Sequence, residues 1–224
     1  MRPLRLFVYA RATLICAGLL WASMTGAIAQ APAPASLNLR LLDAARQNEL
    51  VETKRLIAQG AVVDSRNRLG KTALLLACEK GNDELAAALL GAGANVNLAS
   101  VEHVTPLMAA SYGGNADLVR RLLVAGARAD PVDRMNKPAI VYAAGQGHAA
   151  ALDALLASGI DVNAYYEHKL TLLMWAAGQG HVEAVRLLLA RGAKADMRDD
   201  RSLTAIDIAR AAGQGAAANS AGLR

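Results

Sequence analysis

Past residue 29 the chain has few groups suited to covalent or acid–base chemistry: His103, His148, His168 and His181, and one cysteine, Cys78. No nucleophile, base and phosphate-cradling loop stand together, so no catalytic residue is assigned and no enzyme is expected. His103 and His168 could meet a partner or a metal ion, but neither has ligand spacing to a cysteine or carboxylate. No metal site and no cofactor are therefore expected. The chemistry that these residue types do favour is recognition. The aromatic residues beyond residue 29 are Tyr112, Tyr142, Tyr165, Tyr166 and Trp175, with no phenylalanine. Tyrosine and tryptophan bury much area while keeping a polar handle, which enriches them at binding hot spots. Gln146 and Gln179, each after a glycine, add amides between the rings. The competing reading is that the rings only pack against neighbouring loops.

The elements that must position these residues follow from a strict period. Gly60, Gly93, Gly126, Gly159 and Gly192 recur every 33 residues, and Gly81, Gly114, Gly147, Gly180 and Gly213 form a second ladder with the same spacing. Two glycines per unit imply two chain reversals per unit, and a fixed period of this length marks a stacked array in which no unit buries its apolar face alone. The unit 98–130 shows how. Thr105 can cap a helix whose first position Pro106 suits, Leu107 and Ala110 share one face, and Gly114 permits the turn that ends it. A second helix carries Leu118, Leu122 and Leu123 and ends at Gly126; an extended finger follows.

The other units repeat this at the same offsets. Thr72, Thr105, Thr171 and Thr204 align, as do Leu74, Leu107, Ile140, Leu173 and Ile206. The pairs Leu56-Ile57, Leu89-Leu90, Leu122-Leu123, Leu155-Leu156 and Leu188-Leu189 read as core. Alanines 44, 77, 110, 143, 176 and 209 would let neighbouring helices approach closely. Cys78 aligns with Ser111, Ala144 and Ala177, a small-residue position at which a buried, inert thiol is expected. The charged tip at Arg198, Asp199, Asp200 and Arg201 is expected to stay solvated.

Thr105-Pro106-Leu107-Met108-Ala109-Ala110, Gly180-His181-Val182-Glu183-Ala184-Val185 and Gly93-Ala94-Asn95-Val96-Asn97 resemble the ankyrin repeat, whose consensus includes T-P-L-H-x-A-A, Gly-His and Gly-Ala-Asp-Val-Asn. The resemblance runs from about Leu37 to Ala212. It implies an all-α repeat solenoid, a curved array of about six helix pairs with β-hairpin-like fingers, whose concave face of first helices and whose fingers bind other proteins. It places Tyr142 and Trp175 at the variable first-helix site facing that groove, Tyr112 at a helix end on the same side, and Tyr165 and Tyr166 on the fifth finger. It also gives His148 and His181 a structural role. Two departures stand out. The consensus histidine is replaced by Leu75, Met108, Val141, Met174 and Asp207, so apolar packing is expected to replace its polar bond. Pro138 stands where a threonine should cap, leaving amides short of partners unless Asn136 helps.

The N-terminal stretch reads differently from the array. Arg2, Arg5 and Arg11 precede an uncharged stretch, 12–29, that closes on Ala27-Ile28-Ala29, the pattern of a secretory signal cleaved after Ala29. An uncleaved membrane anchor is the alternative, though the Ala, Ser, Thr and Gly content makes a poor permanent span. Cleavage removes three arginines and no acid, so the net charge of +5 falls to +2, and nothing clustered and basic suggests nucleic acid. With Cys78 alone remaining, no internal disulfide can form. The organisation expected is a signal over 1–29, a Pro/Ala tether over 30–36, and repeats over 37–65, 66–97, 98–130, 131–163, 164–196 and a partial cap, 197–212. A flexible tail over 213–224 is expected to fray.

Together these features predict a monomeric, non-enzymatic bacterial protein exported to the periplasm, or released beyond it. Without a stable membrane anchor, it would bind a partner protein, a client enzyme or a toxin, through Tyr112, Tyr142, Gln146, Tyr165, Tyr166, Trp175 and Gln179. The alternative from another class is a carrier or sensor of a small ligand or metal in the same groove.

Overall fold

The computed structural model describes residues 34–223, so the expected signal and most of the tether lie outside the described residues. Twelve α-helices alternate between two layers. The first layer holds α1 (Pro34–Gln47), α3 (Ala73–Glu79), α5 (Pro106–Gly113), α7 (Ala139–Gly145), α9 (Leu172–Gly178) and α11 (Ala205–Ala211). The second holds α2 (Leu50–Ala58), α4 (Asp83–Gly91), α6 (Ala116–Val124), α8 (Ala149–Leu156), α10 (Val182–Ala190) and α12 (Gly215–Ser220). Each helix packs on its own layer's neighbour and on its pair mate, which is the connectivity of a helical repeat solenoid. None is long and apolar enough to cross a membrane among the described residues.

Threonine starts most first-layer helices. The hydroxyl oxygens of Thr72, Thr105, Thr171 and Thr204 accept from the amides of Leu75 (3.2 Å), Met108 (3.2 Å), Met174 (3.3 Å) and Asp207 (3.4 Å). Of the residues that replace the consensus histidine, Leu75 and Val141 pack apolar as expected, while Met108, Met174 and Asp207 restore a polar bond. The sulfurs of Met108 and Met174 accept from the Thr105 and Thr171 amides, and the Asp207 carboxylate accepts from the Thr204 amide at 3.0 Å. At α7 the cap is missing: Pro138 offers no side-chain acceptor, and Asn136 does not substitute. The Val141 amide turns instead to the Pro138 carbonyl at 3.1 Å.

Glycine ends the helices for two reasons, both visible at Gly114. Its φ of 74° lies in the left-handed region, and a Cβ there would overlap the imidazole of His148. The column Ala77, Ala110, Ala143, Ala176 and Ala209 is fully buried between adjacent first-layer helices. The first leucine of each pair, Leu56, Leu89, Leu122, Leu155 and Leu188, is fully buried too. Its partner is half-buried in four units and buried only at Leu156, so the pair straddles the core's edge.

The ends of the array correct the sequence expectation. Helix α1 already includes Pro34, inside the expected tether. The sixth unit is a full helix pair, and the expected tail, 213–224, holds α12. The leucine pair is absent, but Gly222 turns left-handed at φ 94° so that Leu223 folds back, its amide donating to the Ala218 carbonyl at 3.0 Å. Leu223 is thereby buried beside Ala218 and Ala221.

Each finger is a tight hairpin-like turn, with no strand among the described residues. Numbered two to six by unit, the fingers close at the base with a backbone bond from residues 67 to 71, 100 to 104, 133 to 137, 166 to 170 and 199 to 203, at 2.9–3.2 Å, and a second backbone bond closes each tip. The tips, Gly70, His103, Asn136, Lys169 and Ser202, all have positive φ. In four fingers a side chain braces the turn. Asn67, Asp133 and Asp199 each accept two turn amides and Ser100 accepts one. Asp199, expected to stay solvated, is therefore buried. Tyr166 holds this column in finger five and cannot brace it; there a single 3-10 turn, Glu167–Lys169, carries positive φ at both His168 and Lys169.

Two predictions follow from these contacts. Pro138→Thr restores the missing cap and is expected to raise the unfolding free energy by about 1 kcal/mol, read as a higher denaturation midpoint at unchanged slope. Cys78 is buried, and burial, followed by the charges of Glu79 and Asp83, pushes its thiol far up. In a Cys16→Ser background, a disulfide reagent should react with Cys78 only at the rate of unfolding; reaction of the folded protein at an ordinary thiol rate would contradict this.

Candidate partner-binding surfaces

The outer positions of the first-layer helices form a row. Leu76 and Ala109 begin it, and Tyr142, Trp175 and Ile208 continue it at the same offset. Tyr142 is half-buried, and its hydroxyl donates to the Asp133 carboxylate, which is only 7% exposed. Burial first, and then that carboxylate, push the phenol well above its ordinary range. The Tyr142 ring meets the exposed Tyr112 edge-on, with centroids 5.8 Å apart and planes at 76°. Asp133 thus does double duty, bracing finger four and fixing the ring.

Trp175 lies beside Gly145, where a Cβ would stand 3.8 Å from its Cε3, and the Lys137 ammonium sits 4.7 Å from the ring centroid. The indole N–H is covered yet has no acceptor, an expensive state for a buried donor. Gln146 and Gln179 are exposed at the C-terminal ends of α7 and α9. Two adjoining hollows share Tyr142. One of 390 Å³ runs along Met108, Ala109 and Tyr112; the other, of 340 Å³, includes Lys137, Gln146, Trp175 and Gln179.

The seven expected contact residues do not form one surface. Tyr112, Tyr142, Gln146, Trp175 and Gln179 share the first-helix face, whereas Tyr165 and Tyr166 line a separate 720 Å³ cleft between fingers four and five. The two readings of the rings also divide by residue. Tyr112 and Tyr165 are exposed by 56% and 51%, free to meet a partner, while Tyr142, Tyr166 and Trp175 are half-buried against the core. Burial first, and then the charge of Asp161, push the Tyr166 phenol up to about 12.

Sequence reasoning missed Lys137, Asp133 and Ile208. Ile208 was in reach, since it continues the Tyr142–Trp175 column; Lys137 and Asp133 act through finger geometry that spacing along the helices does not reveal.

The histidines divide as well. His148 Nε2 and His181 Nε2 each lie 2.9 Å from a carbonyl of the preceding unit, that of Tyr112 and that of Gly145, tying the layers together. Asn115, in the same column, bonds back to the preceding unit too, at the Gly81 carbonyl (3.0 Å), two residues along from the histidines' position. His103 is a finger tip and His168 adjoins one; His168 Nδ1 lies 3.2 Å from the Asp200 carboxylate. Among the described residues no three His, Cys, Asp or Glu side chains gather as metal ligands.

Comparison with known proteins agrees with the geometry. Three family profiles match in overlapping succession: "Ankyrin repeat" over 69–100, "Ankyrin repeats (3 copies)" over 97–166 and "Ankyrin repeats (many copies)" over 155–209. A stretch of 80 residues is 42% identical to the mitochondrial disaggregase of Bos taurus, covering 35% of this chain and 12% of that protein. A stretch of 65 residues is 43% identical to the mitochondrial disaggregase of Homo sapiens, covering 29% of this chain and 9% of that one. The chain thus spans a small fraction of the length of these curated relatives. With helix pairs, capped turns and fingers repeating in the register that the profiles match, the chain belongs to the ankyrin repeat family.

Proposed function

We propose that this protein-interaction module is an exported, non-enzymatic adaptor that holds a partner protein on the first-helix face of units three to five. The observation that carries the reading is the row Tyr112, Tyr142, Trp175, in which one ring is exposed and two are fixed by neighbours. Rings held rigid before contact lose little entropy on binding, which is how aromatic anchors come to dominate interfaces. Gln146 and Gln179 supply adaptable amides at the rim. The partner is a client enzyme that needs support or a toxin that needs neutralising. The name of the curated relatives, disaggregase, points to a polypeptide as what those proteins act on, in keeping with a protein partner here. Their activity is not carried over on a match to so small a part of them.

In a Trp21→Phe background Trp175 is the single indole, so its fluorescence reports on the groove. A saturable change is expected when the partner is added, and Tyr142→Ala with Trp175→Ala should weaken capture of the partner by at least about tenfold while the circular dichroism stays unchanged. Unaltered affinity in that double variant would remove the groove from the interface, and saturation by a metal ion or metabolite alone would favour a carrier instead. For export, the mature N-terminus should be Gln30; an intact Met1 or a different cleavage point would count against the secretory route.

A further inference from the structure

Comparing the ties between successive units column by column exposes one place where they lapse together. Fingers two and three are joined by the Val101 amide to the Leu69 carbonyl (2.9 Å), three and four by Arg134 to Glu102 (3.3 Å), and five and six by Asp200 to His168 (3.2 Å). The corresponding bond from Glu167 to Met135 is not formed among the described residues. At the finger bases the Asp64 carboxylate accepts from the Asn95 amide. Asn97 clamps the Gly126 carbonyl and the Arg128 amide, and Asn163 clamps the Gly192 carbonyl and the Lys194 amide. Asp130, in the same column, instead accepts from Nη2 and Nε of Arg128 (2.6 and 3.1 Å), and the Asp161 amide is left without it. Finger five also lacks its bracing side chain, because Tyr166 stands there. Behind this line the helices keep their contacts: His181 still bonds the Gly145 carbonyl, and α7 still packs on α9.

The 720 Å³ cleft lies in this gap. Its walls include Val132, Pro138, Ile160 and Tyr165, and its rim carries the carboxylate of Glu167 and that of Asp130, the latter already paired with Arg128; no residue lining it is basic. The Glu167 amide and the Met135 carbonyl, whose equivalents pair with each other in the other fingers, and the Asp161 amide, whose equivalents donate to side chains, have no such partner among the described residues. Such groups are a template for an added extended chain.

We infer that the cleft between fingers four and five binds an extended, apolar segment of a partner polypeptide carrying a lysine or arginine. The segment's backbone pairs with Met135 and Glu167, its apolar side chains lie on Val132, Ile160 and Tyr165, and its cation faces Glu167. This site rests on the reading of the array as a protein-binding module but not on the groove.

The test uses a short fluorescein-labelled peptide in which valine and threonine alternate around a central arginine, titrated with the full chain and followed by polarisation. Saturable binding is expected, lost when alternate peptide amides are N-methylated. Tyr165→Ala, at an exposed position, should weaken binding by at least about tenfold. Asp130→Asn should recreate the clamp of Asn97, draw the units together and weaken binding to a similar degree while raising the melting temperature. Equal affinity for the methylated peptide, or unchanged affinity in either variant, overturns the inference. So does a concentration-dependent dimer that Asp130→Asn abolishes, because a second copy would then fill the cleft. The Tyr142→Ala, Trp175→Ala double variant should bind the peptide normally, so failure of the groove and failure of the cleft are read separately.

Discussion

Close approach of successive first-layer helices at one column of alanines is the constraint on which the array depends. Ala77, Ala110, Ala143, Ala176 and Ala209 leave no accessible surface, and a larger side chain at any of them would push two units apart. With that spacing set, Leu74, Leu107, Ile140 and Leu173 bury beside them, and each second-layer helix can seat its first leucine. A fully buried leucine contributes about 1.5–3 kcal/mol. Because contacts run only to the next unit, this stabilisation accumulates by neighbour pairs rather than through one central core.

The same nearest-neighbour logic explains how recognition surfaces coexist with a regular frame. Helix-side ties recur in units three to five, with Asn115, His148 and His181 each reaching back to a carbonyl of the preceding unit, the two histidines to equivalent positions and the asparagine two residues further along. Finger-side ties vary, since a hairpin turn can lose a brace without disturbing the helices behind it. Tyr142 is fixed by a brace that serves its own finger, Asp133. Tyr165 is exposed where the brace is gone. The two surfaces therefore arise from opposite causes, one from extra fixation and the other from lost ties.

Most of the fold was legible because glycine, threonine, alanine and leucine each hold one column for one mechanical reason, so a single alignment assigns helices, caps and core together. Helix α12 escaped because it is built from small residues and its anchor, Leu223, lies past a glycine rather than in the leucine column. The site was half legible. Tyr142 and Trp175 stand out as large rings in a variable helical column, but Tyr165 and Tyr166 join them only through residue type and a place on a finger. What separates them is the finger column Asn67, Ser100, Asp133, Tyr166, Asp199, whose meaning is a turn amide's need for an acceptor. A helix-based alignment gives that column no weight. Lys137 over Trp175 depends on the path of the finger and has no periodic signal.

The finger tips have a consequence of another kind. Gly70, His103, Asn136, Lys169 and Ser202 share one left-handed backbone geometry although only the first is glycine. Enforced by the turn around it, that geometry costs a residue with a Cβ roughly 1 kcal/mol or more, a sum the rest of the array absorbs. Several residue types nonetheless occupy the column, so that an imidazole, an amide, a cation and a hydroxyl stand at equivalent stations along one edge. The edge works like a row of sockets of one gauge: its message can be rewritten tip by tip while the rack that carries it stays the same.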